Sequence, residues 1–382
     1  MNVDKHTILF SALDWGLGHT TRSIPILTFL SNKGHALLIA VQPDSASAAI
    51  LKESFPMATF LDLKGYEIRY AGNPRFFALK IFSQIPKLLA AIRRENRFVR
   101  QAIAAHPEID WIISDNRYGF YHPAIKSIFI THQLRISAPF KWLEALMQRI
   151  NYSYITKFQE LWIPDFPGSE NIGGKLSHPE RMPAISTKYI GLLSRLTNTE
   201  NIELEKLSVN RSAIKYLFLL SGPEPQRSVL EARLLEIIGA LDGPCLLVRG
   251  LPATKNTEND LNARLIASAL QKPRSNLEII EYADRLTLKY LLERAEFVLC
   301  RSGYSTIMDL IYLGKKGIYV PTPGQTEQEY LAIRLMQLGW GYSFKQEAVN
   351  YEQELRQATL YQYELPHSFN SFQESFFTST LS

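Results

Sequence analysis

Only two cysteines occur in 382 residues, Cys245 and Cys300, which leaves no material for a disulfide framework or a cysteine-rich metal site. Each lies at one end of an apolar run of strand length, so both are expected as buried thiols. No uninterrupted apolar run approaches the roughly 20 residues that span a bilayer. Met1 to Lys5 is polar, and the apolar run that follows is short and closed by Asp14. No secretory leader is therefore expected, and the cytoplasm is the expected location. A net charge of +5 is too mild a bias for a nucleic-acid surface, so no nucleic-acid partner is expected. A complete dinucleotide fingerprint is also missing. Gly16-Leu17-Gly18 runs into His19-Thr20-Thr21 with no third glycine, which argues against a nicotinamide dehydrogenase.

What is present suits two soluble domains: 46% hydrophobic and 21% charged residues over a length sufficient for two cores. Apolar runs predict strands at 7–13, 36–41, 110–114, 127–131 and 162–163, with helices at 20–32 and 45–55 between them. A loop-rich stretch at 166–186 leads to a strand at 188–193 and a polar, linker-like segment at 194–210. The alternation then restarts. Strands are expected at 215–220, 245–249, 277–280, 297–300 and 317–321, and helices at 226–241 and 286–293. This pattern predicts an α/β protein of two Rossmann-like domains with mostly parallel sheets, 1–190 and 212–350. Residues 351–382 read as a terminal helix and tail, packed back on the N-terminal domain or partly disordered.

Polar residues gather where strands give way to helices. Asp14, Gly16, Gly18 and His19 occupy the first such turn; glycine lets backbone approach a ligand, though a tight turn feeding a helix reads the same way. Asp115 and Asn116 follow a second strand, and His132 and Gln133 a third. Imidazole titrates near neutrality, so His19 and His132 suit proton transfer, with Asp14 and Asp115 as rival bases and ordinary loop polarity as the plain alternative. In the second half, Ser221 and Gly222 precede a helix, with Pro223 and Pro225 stiffening their loop. Arg227, Arg249 and Arg301 are candidate partners for phosphate oxygens, since a guanidinium matches them in paired hydrogen bonds; surface solvation is the alternative. Ser302, Gly303, Ser305, Thr306 and Asp309 then lead to Gly317, Pro321, Gln328 and Glu329.

That last order, Ser-Gly, an acid late in a helix, Gly and Pro around a strand, then Gln with an acidic neighbour, resembles the nucleotide-sugar signature of glycosyltransferase family 28. The family includes the N-acetylglucosaminyltransferase that forms peptidoglycan lipid II. Two departures stand out: the helix acid is Asp309 where the family usually has Glu, and Leu331-Ala332 stands where Asn-Ala commonly ends the motif. The resemblance implies the glycosyltransferase-B architecture, two Rossmann-like domains facing a central cleft. It implies an inverting transfer from an NDP-sugar, most nearly a UDP-sugar, to an acceptor hydroxyl. The donor would meet Asp309 at the ribose, Gln328 and Glu329 at ribose or sugar hydroxyls, and Ser221 and Gly222 at the diphosphate. His19 falls on the family's Gly-His loop, and Gln133 on its acceptor-side motif, where His132 replaces an acid.

No Asp-x-Asp tripeptide exists, which argues against a metal-chelating transferase; no metal and no cofactor are expected. From Asn73 to Arg100 seven basic residues face one acid, Glu95, beside Phe76, Phe77, Leu79, Ile81 and Phe82. That composition suits an anionic membrane surface or a solvated amphipathic helix. A UDP-sugar 2-epimerase and a non-catalytic nucleotide-sugar-binding protein are the competing readings.

Overall fold

The computed structural model describes residues 5–14, 17–66, 77–136, 140–197, 213–250 and 275–366, with the side chains of 77–85 excepted. These fall into two compact units that divide between Arg195 and Leu196.

The first unit is built on seven parallel strands: β1 (Thr7–Ala12), β2 (Ala36–Val41), β3 (Thr59–Asp62), β4 (Trp111–Asp115), β5 (Lys126–Ile130), β6 (Glu160–Ile163) and β7 (Ser186–Tyr189). Their order across the sheet is β3-β2-β1-β4-β5-β6-β7. Crossover helices α1 (Gly18–Asn32), α2 (Ala46–Ser54), α3 (Phe77–Ala105) and α4 (Lys141–Ile155) connect them. Central strands such as β1 and β4 are nearly continuous runs of buried residues, as a parallel sheet covered on both faces requires. On one face, Val99 and Ala102 of α3 pack with Leu9, Leu38 and Ile112 of the sheet.

The second unit repeats the plan with six parallel strands: β8 (Ile214–Leu219), β9 (Cys245–Val248), β10 (Leu277–Ile280), β11 (Ala295–Cys300), β12 (Lys316–Tyr319) and β13 (Gly341–Ser343). They run in the order β10-β9-β8-β11-β12-β13. Helices α5 (Gln226–Ile237), α6 (Arg285–Arg294), α7 (Tyr304–Tyr312), α8 (Thr326–Gln337) and α9 (Tyr351–Leu360) complete it. Tyr351, Leu355 and Ala358 of α9 enter the same core as Leu230, Leu234 and Phe344, so this helix belongs to the C-terminal unit. The rest of the tail, from 367 on, lies outside the described residues. Cys245 and Cys300 are buried strand thiols; burial pushes Cys245 up to about 11 and Cys300 higher still.

β3, α4 and β13 do not figure among the expected elements. β3 and β13 are edge strands, and β3 has no fully buried residue, so the apolar pattern that marks a strand is weak there. The strand expected at 188–193 forms earlier, at Ser186–Tyr189.

Candidate active site

In each sheet the order reverses beside its first strand, between β1 and β4 in one unit and between β8 and β11 in the other. Ligands of open α/β sheets bind outside the carboxyl ends of strands at such a reversal. The candidate residues collect at both.

β4 ends on Asp115, in register with Ala12 at the end of β1. The next residue, Asn116, turns the chain with φ of 61°, a left-handed conformation that asparagine tolerates better than most. Asp115 is fully buried and receives a forked pair of hydrogen bonds from Arg22, through Nε (2.7 Å) and Nη2. Ser23 Oγ adds a third at 3.1 Å, and His19 Nδ1 lies 2.9 Å away. Arg22 Nη1 is 2.8 Å from His132 Nδ1 in the loop after β5. His19, Asp115 and His132 are thus brought together around a guanidinium one helical turn beyond His19 on α1.

The electrostatics follow from that placement. Desolvation raises the cost of charging Asp115, yet Arg22 and His19 outweigh it and hold the carboxyl far below its usual range. Asp115 is therefore an anion that orients its neighbours and not a proton acceptor. Burial lowers His19, the Arg22 charge adds to this, and Asp115 opposes both; the balance is a pKa below 6.5. His19 is the one of the set with a ring nitrogen, Nε2, that has no partner among the described residues.

Asp14 belongs to a second network. It accepts weakly from the Tyr66 backbone N–H (3.4 Å) and lies 3.6 Å from Arg117. Arg117, itself buried, pairs with Glu95 at 2.9 Å, and Tyr66 donates to Glu95 at 2.7 Å. Asp14 thereby ties the first loop to Tyr66 and Arg117, which in turn hold Glu95 of α3. Gly18 opens α1, and its carbonyl accepts from Thr21 Oγ1 at 3.2 Å; Gly16 lies outside the described residues. Gln133 donates its backbone N–H to Thr131 Oγ1 at 3.0 Å.

In the C-terminal unit three loops meet at the β8–β11 reversal. Gly222 has φ of 103°, and a Cβ there would come 3.7 Å from Thr322 Oγ1, so the loops after β8 and β12 touch. Only glycine holds such backbone without strain. Ser221 is exposed beside it. Ser302 Oγ donates to the Gln328 carbonyl at 2.8 Å, tying the loop after β11 to α8. Gly303 caps α7, and a Cβ built on it meets no atom within 4 Å, so the approach to that helix N-terminus is open. Ser305 and Thr306 sit half-buried in the first turn of α7, and Asp309 is buried a turn further along. Gln328 Oε1 accepts from Thr322 N–H (2.8 Å) and Glu329 Oε1 from Gly324 N–H (2.9 Å), so both brace the loop after β12.

The three arginines expected at phosphate have other work. Arg227 pairs with Glu224 (2.6 Å) and Glu231 (2.8 Å). Arg249 is held by the same Glu231 and by Glu281 at 2.9 Å. Arg301 is buried and donates to the carbonyls of Val320, Pro321 and Gln226 and to Gln346 Oε1. In this structure their guanidinium groups stitch loops and helices together. Among the described residues no group of three or more His, Cys, Asp or Glu side chains is arranged to hold a metal ion.

The family model for the glycosyltransferase family 28 C-terminal domain matches residues 254–373. Most of the C-terminal unit therefore matches glycosyltransferase family 28. Over 80 residues, 20% of the chain, it is 34% identical to the UDP-N-acetylglucosamine–N-acetylmuramyl-(pentapeptide) pyrophosphoryl-undecaprenol N-acetylglucosamine transferase of Rickettsia felis. The match spans 22% of that relative's length. MurG of Acinetobacter baumannii superposes with a TM-score of 0.55 at 14% identity, covering 93% of this chain and 90% of that one. The glycosyltransferase SnogD of Streptomyces nogalater gives 0.61 at 15%, covering 99% and 100%, and the glycotransferase of kitacinnamycin 0.64 at 16%, covering 94% and 90%. At such identities these likenesses show the fold, and the fold is glycosyltransferase-B.

Two features of the unit that precedes the family 28 domain escaped sequence reasoning. Arg22 is absent from the candidates read from the sequence; its spacing three after His19 was the available signal. The other is α4, which begins nine residues after His132 in the sequence. Trp142, Leu146 and Ile150 form an exposed stripe along it, Trp142 at 68%, with Phe140 stacked on Trp142 and exposed Lys141 and Arg149 beside them. The basic segment singled out instead begins in 67–76, outside the described residues, as are the side chains of 77–85. In its remainder Arg93, Arg97 and Arg100 lie on the exposed face of α3, while Arg94 donates to the Gly65 carbonyl at 2.9 Å. Among the described residues no helix is long and apolar enough to cross a membrane.

Proposed function

We propose that the protein is an inverting glycosyltransferase that moves a sugar from a nucleoside-diphosphate donor, most nearly a UDP-sugar, to a hydroxyl of a lipid-carried acceptor. The observation that carries the reading is the pairing of a family 28 domain with a His19–Asp115 dyad at the switch point of the other sheet.

In the donor half, the open N-terminus of α7 at Gly303 and the Ser221–Gly222 loop before α5 offer backbone N–H groups and positive helix ends to a diphosphate. The amide nitrogen of Gln328 and the second carboxylate oxygen of Glu329 are left over from bracing their loop and suit sugar or ribose hydroxyls. Asp309 is the residue proposed for the ribose. No metal is required by this reading.

In the other half, His19 Nε2 takes the proton of the acceptor hydroxyl as its oxygen attacks the anomeric carbon. The bond from that carbon to the diphosphate breaks, and its electron pair leaves with the nucleotide. Asp115 stabilises the imidazolium formed, through Nδ1–H, without itself becoming protonated. One displacement inverts the anomeric centre. The name of the Rickettsia relative contains an undecaprenol-linked acceptor. The apolar stripe of α4, with cations beside it, suits a membrane holding an acceptor of that class.

The test supplies UDP-hexoses and UDP-N-acetylhexosamines together with polyprenyl-diphosphate saccharides in anionic vesicles. Mass spectrometry then looks for an acceptor heavier by one sugar residue. Transfer that disappears in His19→Gln supports the reading. Free UDP with a C2-epimerised sugar and no acceptor would assign an epimerase, and donor binding without turnover a nucleotide-sugar-binding protein.

A further inference from the structure

His19 and His132 both stand beside Arg22, and their roles are settled by what an arginine can do. A guanidinium has five N–H donors and no acceptor. At 2.8 Å from Arg22 Nη1, His132 Nδ1 must therefore be an unprotonated acceptor, with the ring proton on Nε2. His19 Nδ1 faces two partners that demand opposite things. Asp115 Oδ1 at 2.9 Å requires a proton on Nδ1, whereas Arg22 Nη2 at 2.8 Å requires none. The two bonds are mutually exclusive. With the proton on Nδ1 shared with Asp115, Nε2 is bare and basic; with Nδ1 accepting from Arg22, Nε2 carries the proton.

We propose that Arg22 is a positioning residue that sets the protons of both rings, holding His132 in the Nε2–H tautomer and leaving His19 as the base. The inference deepens the glycosyltransferase reading and takes His19's role from it. His132, with its Nδ1 taken up by Arg22, removes no proton. His19 alternates between its two tautomers: the Asp115-bonded form takes the acceptor's proton, and the Arg22 charge beside the resulting imidazolium favours its release before the next turnover. Among the described residues, the charged and titratable groups facing His19 are Arg22, Asp115 and His132. Arg22, with its fork on Asp115, is the residue that touches all three of the others.

The experiment is nitrogen-15 NMR of the full-length protein labelled at histidine, at a pH where both rings are neutral. Long-range nitrogen–proton correlations distinguish the Nδ1–H from the Nε2–H tautomer, and His132→Gln and His19→Gln assign the signals. The expected result is a single His132 species protonated at Nε2, and a His19 ring averaging between tautomers. A His132 ring protonated at Nδ1, or an even mixture, overturns the proposal.

Arg22→Lys keeps the charge but replaces the fork by one ammonium that cannot serve Asp115 and both rings together. There the His132 signal should become a tautomer mixture, and kcat should fall about tenfold or more with donor KM unchanged. A folded Arg22→Lys protein with lowered activity and an unaltered His132 tautomer would reduce Arg22 to a structural ion-pair partner and overturn the positioning role. If the variant does not fold, the wild-type tautomer decides alone. The spectra need no turnover, so a protein that transfers no sugar would remove His19's role as base while leaving the tautomer result standing.

Discussion

Arg22, Asp115, His19 and His132 show how burial converts ordinary residue types into a defined chemical device. An ionised carboxylate in the interior is tolerable because a forked guanidinium and a serine hydroxyl satisfy it. Burial first, and the same guanidinium second, lower the pKa of the adjoining His19 imidazole. His19→Gln should therefore lower kcat by about 10²–10⁴, the usual worth of a general base, with donor affinity unchanged by calorimetry. An equal loss of affinity would make His19 a binding residue. The pH profile has a definite sign. A base with its pKa below the ordinary 6.5 stays unprotonated as pH falls through that value, so kcat/KM should hold there and decline only at lower pH. An acid limb at or above 6.5 would contradict the environment assigned to His19. Sequence reasoning found three of these four residues because each follows a strand at a loop. Arg22 lies inside a helix, where polarity alone marks nothing, and its bonds to Asp115 and His132 appear only in the folded chain.

At the scale of elements, sequence periodicity located the central strands because they are buried on both faces and read as apolar runs. It failed where burial is partial. β3 and β13 are short edges, and α4 directs an apolar stripe outward, against the pattern that identifies a core-facing helix. That stripe should be measurable. Trp142→Glu combined with Leu146→Glu should cut sedimentation with anionic vesicles while leaving donor binding intact; unchanged sedimentation would detach α4 from any membrane role. The terminal helix α9 carries a second prediction. Leu355 is fully buried in the C-terminal core, and Leu355→Ala should cost about 2–5 kcal/mol in denaturant unfolding. A change within error would mean that α9 is not part of that core.

Across the whole molecule the same plan appears twice: a parallel sheet whose order reverses beside its first strand, with the candidate loops at the reversal. The alternation of strands and helices made that plan legible, and the Ser302–Gly303 to Glu329 segment pointed to nucleotide-sugar chemistry. Charge near a strand end can serve either a ligand or a neighbouring carboxylate, and in the structure Arg227 and Arg249 both pair with Glu231. The central claim is that the loops after β8, β11 and β12 bind a nucleoside diphosphate carrying a sugar. Thermal unfolding of the full chain against a panel of nucleotide-sugars tests it most directly, because a ligand that binds only the native state raises its apparent stability. The account predicts a concentration-dependent rise in Tm with a UDP-sugar, and binding weakened by about 1–3 kcal/mol in Asp309→Ala. No rise with any nucleotide-sugar, at concentrations well above those at which such donors ordinarily saturate, would contradict it.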